Sequence, residues 1–198
     1  MRITSIIAAV LLLFSSVSYA DESAQKLVED TTAAVLKILN DNKDELAENT
    51  PMVQKLIEDK VVPHVDFVAM TKLAVAVNWK RANQDQQHAL VSEFKSLLLR
   101  TYSKSISEYS GEQIIFLPYR PESRADRAVV RAEFAGNGGS KIPIHYKLRK
   151  KEDWKIYDIS IDGISLVTNY RSSFSSEIQA SGIDGLVASL KLKNQGGE

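Results

Sequence analysis

The sequence predicts an α+β domain in which an antiparallel sheet of about four strands is wrapped by helices. Two changes in the hydrophobic period predict this class. Apolar residues recur at helical spacing up to about Gly111, alternate with polar residues through Ile161, and return to helical spacing after Gly163. Strands joined by short polar loops form an antiparallel meander with one covered face. Helices before and after such a run of strands are typical of the α+β class.

The N-terminal helical part is predicted to contain four helices between residues 22 and 109. Thr50, followed by a proline, predicts the start of the second helix, because threonine is a good N-cap and proline suits the first helical position. Asp66 is the predicted N-cap of the third helix. Asn83 with Gln86 three residues later predicts a capping box at the start of the longest helix.

Four segments with period-2 alternation are the candidate strands. They are residues 113–119, 127–134, 142–149 and 154–161. The last of them is apolar on both faces near Ile159 and Ile161, which predicts a central position in the sheet. Asp162 and Gly163 are predicted to form a tight turn, after which a helix folds back over the sheet.

The first twenty residues predict a cleaved secretory signal peptide. Arg2 is the only charge before Asp21, the run from Ile6 to Phe14 is apolar, and a small residue, Ala20, ends the segment. An uncleaved membrane anchor is the alternative, but the apolar run is shorter than the roughly 20 residues that span a bilayer. We therefore expect an exported protein.

Residues 21–198 are predicted to form a single domain with a helical part (21–111), a sheet (112–162) and C-terminal helices (163–193). The chain contains no cysteine, which excludes disulfides, thiol chemistry and cysteine-based zinc sites. Its 25 basic and 25 acidic residues balance, whereas a nucleic-acid-binding protein would usually show a basic excess. We expect no nucleic-acid partner.

The sequence contains no recognisable catalytic constellation. It lacks the G-x-S-x-G, H-E-x-x-H and phosphate-binding glycine motifs. Its three histidines, His64, His88 and His145, show no metal-ligand spacing. Asp158 is interpreted as an acceptor of backbone or tyrosine hydrogen bonds, and Asp162 as a turn residue, rather than as a general acid/base pair. The prediction is therefore no enzyme, no catalytic residue and no metal.

The apolar face of the sheet and the stripe on the longest helix allow two interpretations. One is an ordinary packed core, which composition favours. The other is a cavity between sheet and helices that holds an apolar ligand. Periodicity does not separate them, because the same residue types line a cavity and fill a core.

Several segments, taken together and in order, resemble one family. The segment from His64 to Gly111 contains an Asp-Phe start, a tryptophan before a basic pair, a Gln-rich helix opening, a Phe-x-x-Leu-Leu stripe and a Tyr-Ser-Gly end. "WKIYDISIDGISLV" and "GIDGLVASLK" supply a Trp-x-x-Tyr-Asp block and a closing helix. With the signal peptide and the length, they resemble the MlaC family, also called the toluene-tolerance auxiliary proteins. Ala76 departs from the pattern, since many members have glycine there.

The resemblance implies an NTF2-like α+β cone whose acyl-chain cavity lies between a curved sheet and helices. It also implies a periplasmic phospholipid carrier that helps to maintain outer-membrane lipid asymmetry. The implied partners are an inner-membrane ABC transporter complex with an MCE-domain subunit (MlaFEDB-like) and an outer-membrane MlaA-like lipoprotein associated with a porin. The implied ligand is a phospholipid with two acyl chains, and no cofactor is expected. The alternatives are an NTF2-like enzyme and a periplasmic adaptor that binds no lipid.

Given this resemblance, the faces of the predicted elements suggest which residues line the pocket. From the helices they are Val75, Leu98, Tyr102 and Ile106. From the sheet they are Val130, Phe134, Ile144, Tyr146, Trp154, Ile156, Ile159 and Ile161.

Overall fold

The computed structural model describes residues 22–136 and 141–196. The predicted signal peptide and most of the predicted loop at residues 136–139 lie outside the described residues. Within these ranges, no helix is both long enough and apolar enough to cross a membrane.

The predicted helices and strands occur in order, but the helix Lys43–Glu48 was not predicted. The strand Ile164–Ser165, and not a helix, directly follows the predicted turn at Asp162 and Gly163. The α-helices of the described ranges are α1 (Ser23–Asp41), α2 (Lys43–Glu48), α3 (Thr50–Lys60), α4 (Phe67–Val75), α5 (Gln84–Ser107) and α6 (Arg171–Asn194). Short 3-10 turns are formed by Val62–His64, Ala76–Lys80 and Thr168–Tyr170. The strands are β1 (Gln113–Phe116), β2 (Arg127–Ala135), β3 (Lys141–Lys150), β4 (Trp154–Ile161) and β5 (Ile164–Ser165). The α+β class is confirmed.

Local capping signals position most helix starts correctly. Asp66 Oδ1 accepts the Ala69 N–H at 2.9 Å at the start of α4. The capping box of α5 is also present, because the side chains of Asn83 and Gln86 each accept the other residue's backbone N–H. The start of α3 differs from the prediction. Asn49, and not Thr50, caps this helix by accepting the Met52 N–H at 3.1 Å, and asparagine is the stronger cap.

The sheet is fully antiparallel and has the strand order β1-β2-β3-β4-β5. It therefore has a short fifth strand beyond the predicted four, and β3, not β4, is central. β5 was missed because two residues are too few to show an alternating pattern.

A β-bulge explains why β4 is apolar on both apparent faces. β4 contains one extra residue, Tyr157, between the positions opposite Lys147 and Leu148 of β3. Because the bulge shifts the alternation by one residue, Ile156 and Ile159 lie on the same helix-covered face. The apolar residues of β4 thus indicate a change of register and not a central position.

In the described part of the chain, two hydrophobic clusters hold the fold together. The first fills the space between the inner face of the sheet and α1, α4, α5 and α6. Within it, the Phe94 ring of α5 meets the Tyr170 and Phe174 rings edge to face, each at 5.2 Å between ring centroids. The second cluster joins the end of α1, α2 and α3 to α5 and contains Leu39, Leu46, Val53, Leu56, Ile57 and Leu99. α5 is therefore shared by both clusters.

Candidate functional site

The candidate site is a cavity of about 420 Å³ between the sheet and the helices, which we call the main cavity. Residues of both hydrophobic clusters line it, so it lies between the two clusters, where their side chains leave space unfilled. The sheet and the segment after β5 contribute Phe134, Ile144, Tyr146, Ile159, Ile161, Leu166 and Val167. The helices and their connections contribute Ile57, Val61, Val65, Phe67, Met70, Leu98, Leu99, Tyr102, Ser105 and Ile106.

Regular spacing within each element places these side chains in the main cavity. On α5, Leu98, Tyr102 and Ile106 recur every four residues and share one helical face. On the sheet, Ile144 is paired with Ile161 and Tyr146 with Ile159, so neighbouring strands present their side chains to the same face.

The lining is almost entirely apolar. None of the described residues that line the main cavity is charged, and its polar side chains are Ser105, Tyr102 and Tyr146. Burial, with a contribution from the neighbouring Tyr170, raises the pKa of Tyr102 to about 12. Burial also raises the pKa of Tyr146 above its ordinary value, against the lowering effect of a hydrogen bond with Thr32. Both shifts favour the neutral phenol.

The solvent-exposed part of the lining of the main cavity lies on the C-terminal part of α5 and at the end of β4. Ser105 and Ile161 both line the cavity and both belong to the exposed residues. Ile164, the β5 partner of Ile161, is 61% exposed. The opening therefore has an apolar rim on its sheet side, where solvent meets the uncharged interior.

Hydrogen bonds to a buried carboxylate fix the segment that follows β4. Asp158 is 2% exposed, and its two oxygens accept the Lys147 ammonium at 2.9 Å and the Ser165 hydroxyl at 2.6 Å. Ser165 Oγ in turn accepts the Thr168 N–H at 3.0 Å. The predicted acceptor role of Asp158 is right, but its partners are side chains of β3 and β5. This network holds Leu166 and Val167, which lie between Ser165 and Thr168, against the main cavity.

The basic residues on the outer face of the sheet have partners within the chain. Arg131 pairs with Glu122 at 3.2 Å, and Lys147 pairs with the buried Asp158. The Arg127 guanidinium lies 5.2 Å from the centre of the Tyr157 ring. This face is thus internally neutralised at these positions and is not an array of unpaired cations.

Eight of the twelve residues that the sequence suggests for the pocket line the main cavity. They are Leu98, Tyr102, Ile106, Phe134, Ile144, Tyr146, Ile159 and Ile161. The other four, Val75, Val130, Trp154 and Ile156, lie instead in the first hydrophobic cluster. Helices pack directly on the sheet there; for example, Trp154 Nε1 donates to Ser23 Oγ of α1 at 2.9 Å. Contact of any of the twelve with a ligand stays a prediction.

Sequence reasoning missed the contribution of α3 and of the segment after it. Ile57, Val61 and Val65 line the main cavity and recur every four residues. This spacing continues the apolar stripe of α3 past its end at Lys60. The stripe was a usable signal, but nothing local shows that it faces a cavity. Among the described residues, no group of three or more histidine, aspartate or glutamate side chains is placed to hold a metal ion.

Comparison with known proteins identifies the family. The family model described as MlaC protein matches residues 29–192, which include every residue that lines the main cavity. The chain belongs to the MlaC family. The main cavity therefore lies entirely within the part of the chain that matches the family.

Two curated relatives and one solved structure support the assignment. The chain is 26% identical over 176 residues to the toluene tolerance protein ttg2D of Pseudomonas putida, covering 88% of this chain and 81% of the relative. It is 18% identical over 183 residues to the intermembrane phospholipid transport system binding protein MlaC of Haemophilus influenzae, covering 90% and 86% of the two chains. The phospholipid-binding protein of Ralstonia solanacearum, solved in complex with a phospholipid, superposes with a TM-score of 0.79 at 31% identity, covering 87% of this chain and 97% of the other.

Proposed function

We propose that the protein is a phospholipid carrier that buries acyl chains in the main cavity. The observation that carries this proposal is the unfilled volume of about 420 Å³ with no charged residue among its described lining. This volume lies within the range of roughly 300–1,000 Å³ that is usual for ligand pockets. The solved relative from Ralstonia solanacearum, which contains a phospholipid, supports the choice of ligand.

The chemistry of the main cavity suits the chains and not the head group. Each methylene removed from water contributes about 0.8 kcal/mol, so a sixteen-carbon chain exposed to water costs on the order of 13 kcal/mol. A phosphate, by contrast, would lose its hydration inside an uncharged space. We therefore place the head group at the opening, on the side of the exposed Ile161.

We further propose that the carrier works in the periplasm between two membrane complexes. The N-terminal sequence supports export, and the name of the Haemophilus influenzae relative supports intermembrane transport. The partners would be a MlaFEDB-like ABC transporter with an MCE-domain subunit and a MlaA-like lipoprotein with its porin. Because a lipid then moves from one apolar site to another, the net transfer free energy is small. The relative affinities of the partners, or ATP hydrolysed by the transporter, would set the direction.

Catalysis is not part of this proposal. An enzyme on the same scaffold would need an acid and a base that face the cavity, and the described lining contains only a serine and two phenols as polar groups. An adaptor without a ligand would be expected to fill its core, because protein interiors are close-packed. The main cavity therefore favours a carrier over both alternatives.

The test is lipid extraction and reloading of the purified mature protein. Mass spectrometry of an organic extract should find diacyl phospholipid, and native mass spectrometry should show the lipid-bound mass. A delipidated sample should regain lipid from vesicles of phosphatidylethanolamine and phosphatidylglycerol. A folded protein that carries no lipid and takes none from these vesicles would refute the proposal.

A further inference from the structure

A second, smaller cavity adjoins the main cavity and shares part of its lining. It has a volume of about 230 Å³ and lies between α1, α5 and the start of β1. Ser105, Ile106 and Phe134 line both cavities. The two spaces therefore lie side by side, with these three residues between them at the C-terminal end of α5 and the end of β2.

Successive side chains along α5 line first the main cavity and then the second cavity. Tyr102 lines only the main cavity, Ile106 lines both, and Tyr109, just beyond the helix, lines only the second cavity. Tyr102 and Ile106 are four residues apart and therefore lie on the same side of the helix, and Tyr109 follows three residues later, past the helix end. One continuous face of α5 borders both spaces.

Across the sheet, the strands likewise carry residues that line the second cavity, then both cavities and then the main cavity. Ile114 of β1 lines the second cavity, and its paired residue in β2, Phe134, lines both. Ile144 of β3 and its partner Ile161 of β4 line the main cavity. Ile106 from the helix and Phe134 from the sheet, which we call the dividing pair, thus border both cavities.

The charges of the second cavity determine which part of a lipid it accepts. Its α1 side is apolar and consists of Val35, Leu36 and Leu39, whereas Glu108 and Glu112 line it elsewhere. The Glu112 carboxylate accepts the Ser110 hydroxyl at 2.5 Å and the Ser110 N–H at 2.8 Å. Two carboxylates beside this space disfavour a phosphate there, because like charges repel. The α1 side of the second cavity therefore suits hydrocarbon, and a lipid would reach it from the main cavity, past the dividing pair.

We propose that the two acyl chains of one phospholipid occupy the two cavities separately, one chain on each side of Ile106 and Phe134. This inference rests on the proposed phospholipid-carrier function. The main cavity takes one chain and leaves the head group at its opening. The second cavity takes part of the other chain, so its shape determines whether a lipid with two chains is preferred to a lipid with one.

The experiment fills the second cavity and compares two probes. Delipidated wild-type protein and a Leu36→Trp variant are equilibrated with palmitoyl-oleoyl phosphatidylglycerol in vesicles or with palmitoyl lysophosphatidylglycerol, and native mass spectrometry measures occupancy. Leu36 lines the second cavity and not the main one. We expect binding of the two-chain lipid to weaken about tenfold or more, the factor that corresponds to 1.4 kcal/mol, with one-chain binding unchanged. Leu98→Trp, which obstructs the main cavity, should weaken both.

The other outcomes also test whether the two chains divide between the cavities. If Leu36→Trp leaves both lipids unaffected, or weakens both equally, the chains do not divide between the cavities and the inference is wrong. Val35→Phe fills the same space by a smaller change and replaces Leu36→Trp if that variant does not fold. As an independent readout, a diacyl probe with a diazirine at the end of each chain should cross-link to α1 as well as to α3. If the wild-type protein binds neither lipid, the carrier function itself fails.

Discussion

The Asp66 carboxylate joins the first turn of α4 to Arg149 on the sheet. One oxygen, Oδ1, accepts the Ala69 N–H at 2.9 Å, while Oδ2 accepts the Arg149 Nε–H, also at 2.9 Å. Lys151 lies 3.2 Å from the same Oδ2. Because Val65 before α4 and Phe67 and Met70 in α4 line the main cavity, this interaction holds the helix side of the cavity to β3.

This relationship predicts an acid-sensitive contribution to stability. Burial alone raises the pKa of Asp66, but the hydrogen bonds from Ala69 and Arg149 outweigh it and leave the pKa below its ordinary value. The contribution is therefore complete above the unfolded-state pKa of about 3.9 and is lost as the pH falls through the folded-state pKa. Asp66→Asn keeps a capping oxygen but removes the charge, and should lower the free energy of unfolding by about 1–3 kcal/mol at pH 7.

Urea unfolding measured between pH 7 and pH 2 checks this prediction. The difference between wild type and Asp66→Asn should shrink as the pH falls below about 4. Asp30→Asn, which removes an exposed ion pair with Lys26, serves as the control and should change stability by less than about 0.5 kcal/mol. A difference for Asp66→Asn that is independent of pH would show that the charge is not the cause.

Ala76 has a backbone conformation that favours glycine. It follows α4 with φ 51° and ψ −123°, a region that an L-residue with a Cβ atom enters only with strain. This is the position where the resemblance to the MlaC family leads to an expectation of glycine. Ala76→Gly should raise the free energy of unfolding by about 1 kcal/mol, since relief of strain outweighs the added entropy of the unfolded chain.

Thermal unfolding of Ala76→Gly, compared with that of Ala33→Gly, checks the sign of the predicted change in the free energy of unfolding. Ala33 is exposed in the middle of α1, where glycine should destabilise by about 1 kcal/mol. Opposite shifts of the two melting temperatures are expected. A lower melting temperature for Ala76→Gly would contradict the strained backbone.

Ile159→Asp should lower lipid occupancy and stability together. Ile159 lines the main cavity next to Tyr146, and a carboxylate there would lose hydration without gaining a partner from the apolar lining. A loss of about 2–5 kcal/mol in the free energy of unfolding is expected. Ile115→Asp is the control, because Ile115 is 37% exposed in β1 and lines neither cavity. The amount of phospholipid per folded protein, measured after size exclusion, should fall only for Ile159→Asp. Normal lipid occupancy in the folded fraction of Ile159→Asp would exclude Ile159 from the binding surface.

Local signals made much of the fold predictable. The caps at Asp66 and Asn83 depend on side chains within three residues, so they could be read directly from the sequence. The face of α5 that lines the main cavity could also be predicted, because its apolar period is regular and Leu98, Tyr102 and Ile106 follow it. The bulge at Tyr157 was hidden, since an inserted residue looks like a strand that is apolar on both faces.

The boundary between cavity and core was not predictable from the period. Val130 and Phe134 lie on the same face of β2, yet Val130 is fully buried in the first cluster and Phe134 lines the main cavity. What separates them is which helices pack over each residue, and this packing brings together residues far apart in the sequence. No local pattern encodes it.

Ser165→Ala should accelerate lipid exchange by loosening one side of the main cavity. The Ser165 hydroxyl donates to the buried Asp158 and accepts the Thr168 N–H, so its removal frees the segment that carries Leu166 and Val167. An unsatisfied oxygen on Asp158 should cost about 1–3 kcal/mol of stability. Hydrogen exchange should therefore speed up at residues 164–168, and transfer of a fluorescent phospholipid from loaded protein to vesicles should become faster.

Two variants make this last prediction specific. Ser173→Ala removes a hydroxyl that donates to Tyr170 O on the exposed start of α6 and should leave transfer unchanged. Ser165→Thr keeps the hydroxyl and should retain the wild-type rate. If Ser165→Ala lowers the melting temperature while the transfer rate stays at the wild-type value, the network stabilises the fold without controlling lipid release. If Ser165→Thr speeds transfer as much as Ser165→Ala does, the hydroxyl is not the group that holds the segment.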